Sequence, residues 1–343
     1  MTYRVAMFPR IQVDTAIAYF LLRQYGEEKF PGIKSAPLEF WSELPEGAST
    51  EELEDAGYIL IDLGGSKFDH HNLGPDNKTI SASHLVAQFL GVEDKAEIHK
   101  LLEFARRDDL EGKGTLSADG IDRAFGFPGL LMSLNKSLSE NPKRILEIVL
   151  PLLQSHFLEE YRRHEQLPAE YNELVKAGKV KEFRATHFDK QIKVIYIESD
   201  NTSLAGFLRS RAMGANLVIQ RASTGHTNFI TQQSMKLQLK KLARLIKLTE
   251  ASKAGITLPI DSVADLELPG RTDKLPHWYY DTRANTLQNG GTNPQGIPAT
   301  TLIYAEIESL VKQGLNIERS ERTPRFNNPT NNERRGRGFV SYE

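Results

Sequence analysis

An aspartate followed by two histidines, Asp69-His70-His71, is the part of the sequence whose residue types are best suited to chemistry. The triplet follows an apolar stretch at residues 59–61 that reads as a buried strand and ends at Asp62 and a Gly64-Gly65 turn. Carboxylates and neutral imidazoles are ligands for divalent cations such as Mn²⁺, Mg²⁺, Fe²⁺ and Zn²⁺. Because ligands bind at the carboxyl ends of strands in an open parallel sheet, the pattern predicts a metal site. The alternative is a polar loop whose histidines only cap backbone groups.

Three further aspartates could complete such a site. Asp14 stands at the start of the first predicted helix, and Asp108 and Asp109 stand at the end of a later one, before Gly112. Paired acids before a glycine are also common in solvated turns, and the sequence does not separate Asp108 from Asp109 as a ligand. The chain has no cysteine, so a metal site must use Asp, Glu and His.

Bulk composition says little about the partner. The formal charge of −2 gives no overall attraction to nucleic acid or to an anionic membrane, so an anionic substrate would have to be attracted locally. The sequence contains neither a signal-peptide core of about 7 to 15 apolar residues nor a membrane span of about 18. We therefore expect a cytoplasmic protein without membrane association, which the lack of cysteine also fits.

The first predicted domain, residues 1–125, alternates strands and helices in the manner of a doubly wound, mainly parallel α/β sheet. Asp14 begins a helix of this domain, and Asp62 ends one of its strands. The apolar runs predict strands at 4–8, 38–41 and 58–63, and the helical spacings predict helices at 14–25, 79–90 and 95–107.

Two more regions and a tail follow this domain. Residues 126–180 have helical periodicity interrupted by prolines, which predicts an all-helical connector. Residues 181–318 return to strands and are predicted to form a second, smaller α/β domain that binds the substrate. Residues 319–343 are rich in Asn, Arg, Pro and Gly, a composition that predicts a flexible basic and polar tail.

The order of these motifs resembles the DHH phosphoesterase superfamily, in which four motifs bring acidic and histidine ligands to a two-metal site. Within it, the chain is most similar to the melanocyte-proliferating-gene branch of metal-dependent exonucleases. There, a strand ending in Asp-Val-Gly-Gly precedes Tyr-Asp-His-His and then a Ser-Ser-Ala-type helix. The matching segments here are Asp62-Leu63-Gly64-Gly65, Phe68-Asp69-His70-His71 and Ser81-Ala82-Ser83. The resemblance covers residues 1–125, and beyond them only the order of domains is similar.

The resemblance implies a role for each matching residue. Asp62 would bridge two metals, and His70 would bind one of them. His71 and Asp69 would be the catalytic residues, with His71 contacting the substrate phosphate or assisting the leaving group. Either Asp108 or Asp109 would supply the acidic ligand of the fourth motif.

The first motif departs from the family pattern. Related proteins read roughly His-x4-His-x-Asp there, whereas this chain has Met7 and Gln12 at the two histidine positions and keeps only Asp14. Asp14, Asp62 and His70 would still hold one cation, while a second position would keep fewer ligands. We therefore predict one well-occupied divalent site, with Mn²⁺ as the expected ion and Mg²⁺ as the alternative.

Arginines and a glycine loop are the candidates for holding the substrate. Arg10 is adjacent to the first motif and could clamp a phosphate, with a solvated side chain as the alternative. In the second domain the resemblance implies a glycine-and-histidine loop over the substrate, and Arg221, Gly225 and His226 are the match, although the usual run of glycines is missing. A hairpin turn with an incidental histidine explains these residues equally well.

These residues together predict a metal-dependent phosphoesterase that hydrolyses a phosphodiester in a nucleotide or oligonucleotide at a cleft between two domains. Its partner would be a phosphorylated small molecule or a short nucleic acid, and a homodimer is left open. The alternative is a degenerate family member that binds nucleotide or nucleic acid in a regulatory or scaffold role. A third hypothesis, an unrelated sugar or amino-acid enzyme, would require the acids and His70 to lie far apart.

Overall fold

The computed structural model describes residues 2–71, 79–258, 265–272, 275–291 and 295–317. The chain divides into two compact units, Met1–Pro168 and Ala169–Glu343, each with its own apolar core. The predicted tail at 319–343 lies outside the described residues. Within the described ranges, no helix is both long enough and apolar enough to cross a membrane.

A parallel sheet organises the first unit. Its strands are β1 (Arg4–Met7), β2 (Leu38–Phe40) and β3 (Tyr58–Ile61), in the order β2-β1-β3. Residues 5–7 of β1 are fully buried, as expected for a strand covered on both faces. Because β1 lies in the middle, β2 and β3 pair with its opposite edges. The connections that leave and enter the sheet therefore diverge at the carboxyl end of β1, which is a topological switch point. The predicted α/β class is confirmed.

Helices surround this sheet, and the first of them is central. The helices of the first unit are α1 (Val13–Tyr25), α2 (Thr50–Asp55), α3 (Ala82–Leu90), α4 (Ala96–Glu111), α5 (Gly120–Phe125), α6 (Phe127–Ser137) and α7 (Pro142–Tyr161). Helix α1 packs against α3, α4 and α7, and most of its residues are buried. A π-helical turn, Arg162–Gln166, joins α7 to α8 (Leu167–Lys176).

Much of the helical segment predicted as a connector packs into the first unit. The core of that unit contains buried residues of α7 spaced four apart, namely Ile145, Val149, Leu153 and Phe157. This spacing places them on one face of the helix, and α7 packs against α1 and α4. The boundary between the two compact units follows at Pro168.

Helix α4 ends four residues later than the sequence predicted, at Glu111 instead of Arg107. Gly112 stops it, because this glycine adopts a left-handed backbone with φ of 62° and its N–H donates to the carbonyl of Arg107. Two acids are electrostatically unfavourable at a helix carboxyl end, yet the helix continues through both of them. Asp108 and Asp109 therefore lie in the last turn of α4.

A mixed sheet forms the second unit. Its order is β4-β5-β6-β7-β10-β9-β8, and only β5 and β6 run parallel. The strands are β4 (Val180–His187), β5 (Lys190–Glu198), β6 (Leu217–Arg221), β7 (Thr227–Thr231), β8 (Gly270–Thr272), β9 (Leu275–Asp281) and β10 (Thr286–Gln288). After α8, the described helices of this unit are α9 (Ser203–Leu208), α10 (Lys240–Lys253) and α11 (Tyr304–Leu315). Apolar side chains of α10, α11 and the sheet form one core.

Gly314 allows α10 and α11 to approach closely, and its replacement tests this packing. A Cβ at Gly314 would lie 2.6 Å from Leu242 Cα and 2.8 Å from Leu242 Cβ. We expect Gly314→Ala to lower the free energy of unfolding of the second unit by about 1–3 kcal/mol, measured by urea denaturation. Gly206→Ala in α9 is the control, since a Cβ there meets nothing within 4 Å, and it should stabilise by about 0.5–1 kcal/mol. Equal stability of the two variants would contradict the prediction.

Candidate metal centre

The carboxyl end of β3 places the predicted residues in a tight turn. Asp62, Gly64 and Gly65 all have left-handed backbones, with φ of 51°, 67° and 70°. The backbone N–H of Asp62 donates to the carbonyl of Phe68 over 3.1 Å, which closes the turn. A left-handed backbone is uncommon outside glycine and costs about 1 kcal/mol or more, and such strain concentrates at functional sites. The fold thus holds Asp62 in a conformation that local preference alone would not select.

Asp69 organises this turn from inside. One carboxylate oxygen accepts a hydrogen bond from the N–H of Gly65 at 2.8 Å, and the other accepts from the N–H of His71 at 2.9 Å. His71 Nδ1 also lies 3.0 Å from Asp69 Oδ1. Burial alone would raise the pKa of Asp69, but donation by His71 and Gly65 holds it below its ordinary value. The structure places this predicted catalytic residue where it orients His71, whose own side chain is 64% exposed.

His70 lies between two carboxylates. Its Nδ1 is 3.1 Å from Asp62 Oδ1, and its Nε2 is 3.0 Å from Asp109 Oδ2. These carboxylates, Asp109 first and then Asp62, raise the pKa of His70 to about 10. Yet His70 Nδ1, Asp62 Oδ1 and Asp109 Oδ2 are buried without an aligned hydrogen-bond partner among the described residues. Carboxylate oxygens and imidazole nitrogens are ligands for divalent cations, so a cation could satisfy these buried atoms.

Two groups of ligand atoms meet at this histidine. Asp62, His70 and His71 form one group, and Asp14, His70 and Asp109 form the other, with the ligand atoms of each group within 4.8 Å of one another. Ligands about 2.0–2.2 Å from a cation stand roughly 3–4 Å apart, and this spacing lies within the 4.8 Å limit, so each group could hold a divalent ion. The predicted set of Asp14, Asp62 and His70 is not one of these groups. His71, predicted to contact substrate, belongs to one of them.

Besides belonging to a ligand group, Asp14 binds the start of α3. Its carboxylate is buried and accepts hydrogen bonds from Ser81 Oγ at 2.7 Å, the N–H of Ala82 at 2.8 Å and the N–H of Ser83 at 3.0 Å. Burial raises the pKa of Asp14, and the hydrogen bonds from Ser83 and Ser81 oppose that rise. The carboxylate therefore caps α3 from across the fold and also belongs to a ligand group. The sequence showed Ser81 and Ser83 as a motif but not as partners of Asp14.

The two adjacent acids of α4 have different surroundings in the structure. Asp109 faces His70, whereas Asp108 Oδ1 fills the space that a Cβ at Gly114 would need. Burial raises the pKa of Asp108, and the charge of Asp109 adds to this effect. Asp108 belongs to neither ligand group. Of the two candidates, only Asp109 is placed as a ligand.

A cavity of about 310 Å³ opens beside these acids. Its lining includes Arg10, which is exposed, and Gln12, while Met7 is fully buried in the core. Asn135 of α6 also lines it: the side-chain amide donates to the carbonyl of Ile11 at 2.8 Å and accepts from its N–H at 2.9 Å. Asn135 thus fixes the loop that carries Arg10 and Gln12. No local pattern predicts this contact, because 124 residues separate Asn135 from Ile11.

The predicted substrate loop of the second unit is a hairpin between β6 and β7. Gly225 has φ of 86°, and Arg221 donates to the carbonyl of Leu302 at 2.8 Å. His226 Nε2 lies 2.9 Å from the carbonyl of Ile297, so this nitrogen donates and Nδ1 accepts from Thr224 Oγ1 at 2.9 Å. Arg221 and Gly225 line a separate cavity of about 370 Å³. Both nitrogens of His226 are thus used within its own unit.

Comparison with known proteins adds little to this geometry. No family model matches the sequence, and no curated protein matches it. The chain is similar to a crystal structure of an uncharacterized protein from Helicobacter pylori G27, with 12% sequence identity over 92% of this chain and 99% of that one. The TM-score is 0.25, which is too low to support an inference about the fold. The function therefore rests on the arrangement of the site itself.

Proposed function

We propose that the protein is a metal-dependent phosphoesterase and that its first unit is a DHH-type domain. The observation that supports this most is His70, whose two ring nitrogens each lie within 3.1 Å of a different carboxylate. Asp62 with His71, and Asp14 with Asp109, are the ligands that would join His70 around a cation. Oxygen and imidazole ligands suit Mn²⁺, with Mg²⁺ as the alternative.

A bound divalent cation would polarise a phosphoryl oxygen and lower the pKa of a nearby water. The residues around this cation would bind and orient the substrate. Arg10, on the cavity that Asp14 and Asp109 also line, would bind a phosphate oxygen through its guanidinium group. The His71 ring nitrogen that does not bind the cation can donate a hydrogen bond to an oxygen of the substrate, since this side chain is 64% exposed. The substrate class is a phosphodiester of a nucleotide or short nucleic acid.

Hydrolysis by the purified protein tests this function. With Mn²⁺ present, we expect release of product from a dinucleotide, a short oligonucleotide or pyrophosphate, and loss of that activity in Asp62→Asn. Asparagine is chosen because it tolerates the left-handed backbone at residue 62 and removes only the charge. If the wild type hydrolyses none of these substrates faster than Asp62→Asn does, the enzymatic proposal is refuted.

A second candidate, supported by the first motif, is binding of nucleotide without turnover. Met7 is buried in the core and Gln12 presents a neutral amide, so neither position supplies the histidine that the family pattern has there. Nucleotide binding in the presence of Mn²⁺, together with no hydrolysis, would favour this candidate over the phosphoesterase. Isothermal titration with a nonhydrolysable nucleotide, run beside the activity assay, separates the two.

A further inference from the structure

Helices α4, α6 and α7 of the first unit enclose a cavity of about 480 Å³ whose lining contains none of the candidate metal ligands. Its wall is largely apolar, with Phe104 and Phe127 in an edge-to-face contact at 5.9 Å and Leu101 and Leu153 buried behind them. Leu152, also in the wall, is 55% exposed. Cavities of roughly 300–1,000 Å³ with apolar walls are the usual sites for small ligands.

The rim of this cavity carries excess positive charge. Lys100 pairs with Glu160 at 2.8 Å, and Glu103 pairs with Arg106 through hydrogen bonds of 2.9 and 3.0 Å. The charge of Glu103 also interacts with that of Arg107, but without a hydrogen bond between them. Arg107, which also lines the cavity, donates to the carbonyl of Lys113 at 3.2 Å. In the part of the chain that the structure describes, no carboxylate lies within ion-pair distance of Arg107. The guanidinium group is thus a cation beside an apolar wall.

We propose that this cavity binds a small amphipathic anion, with an apolar body and one carboxylate or similar group. The apolar body would pack on Phe104 and Phe127, and the anionic group would pair with Arg107. A neutral apolar ligand would leave the charge of Arg107 unused, and a cation would be repelled by it. Charge complementarity therefore selects an anion as the occupant.

Isothermal titration of the purified protein with three probes tests the proposal. Decanoate and 1-naphthoate carry the same charge on an aliphatic and an aromatic body, and decanol is the neutral counterpart of the first. We expect at least one of the anions to bind, and the anion that binds more tightly identifies the body that the wall prefers. Arg107→Gln should weaken its binding about tenfold and leave the weak binding of decanol unchanged.

Two substitutions on α7 locate the site. Leu152→Trp should fill the cavity and abolish binding of the anion. Leu158→Trp is the matched control, because Leu158 is 54% exposed on the same helix but lies outside the lining, and it should bind like the wild type. Both leucines are exposed, so neither change removes core packing. No binding of either anion at millimolar concentration, undiminished binding in Arg107→Gln, or equal effects of the two tryptophans would overturn the proposal.

Discussion

Replacement of Asp109 by asparagine should weaken binding of Mn²⁺ at least about a hundredfold, because removal of even an outer partner of a metal ligand costs about 10- to 100-fold. Asp109 Oδ2 is buried 3.0 Å from His70 Nε2 and belongs to a ligand group. Asparagine keeps the size of the side chain and one oxygen but removes the negative charge that a hard cation requires. Isothermal titration or electron paramagnetic resonance of Mn²⁺ measures the affinity.

Asp108→Asn is a closely matched control for this prediction. Both acids lie in the last turn of α4, so each substitution removes one negative charge at the same helix end and relieves the same dipole repulsion. Only Asp109 faces His70, and we expect the Mn²⁺ affinity of Asp108→Asn to stay within about threefold of the wild type. A larger loss in Asp108→Asn than in Asp109→Asn would show that the ligand assignment is wrong.

Asp14→Ala should destabilise the first unit by about 3 kcal/mol or more. The change removes a buried carboxylate that accepts three hydrogen bonds and leaves the N–H groups of Ala82 and Ser83 without their acceptor. A buried donor left unpaired costs about 1–3 kcal/mol, and the start of α3 would lose its cap as well. Urea denaturation without added metal measures the effect apart from any cation.

Asp119→Ala provides the comparison. Asp119 also caps a helix, accepting from the N–H of Ile121 at 2.7 Å, but it is exposed and water can replace it. We expect a cost of about 1 kcal/mol for that substitution. If Asp14→Ala costs no more than Asp119→Ala, the carboxylate of Asp14 does not hold α3 in the way the structure indicates.

Local patterns predicted most of the elements that carry the site. The apolar run of β3 and the glycines after it located the turn at Asp62, and the helix predicted at 79–90 forms as α3 from Ala82 to Leu90. The strand predicted at 38–41 forms as β2 at Leu38–Phe40. These features depend on neighbours in the chain, and hydrophobic period and turn chemistry report on such neighbours directly.

Features set by distant contacts could not be predicted in the same way. Which of Asp108 and Asp109 faces His70 depends on the rotation of α4 about its axis. Packing sets this rotation, and the local sequence does not predict it. The hydrogen bonds between Asn135 and Ile11 join segments that only the folded chain brings together. The packing of α7 could not be predicted either. Its apolar spacing indicates a helix, but not that the helix packs against α1 and α4.

The number of residues in helix α4 is constrained by the side chains near its end. Three successive side chains near its end serve three surroundings: Arg107 lines the apolar cavity, Asp108 packs at Gly114 and Asp109 faces His70. An α-helix turns about 100° per residue, so a one-residue insertion or deletion before Arg107 would turn all three away together. Natural variants should therefore gain or lose residues in the loops around α4 and keep the count within it unchanged.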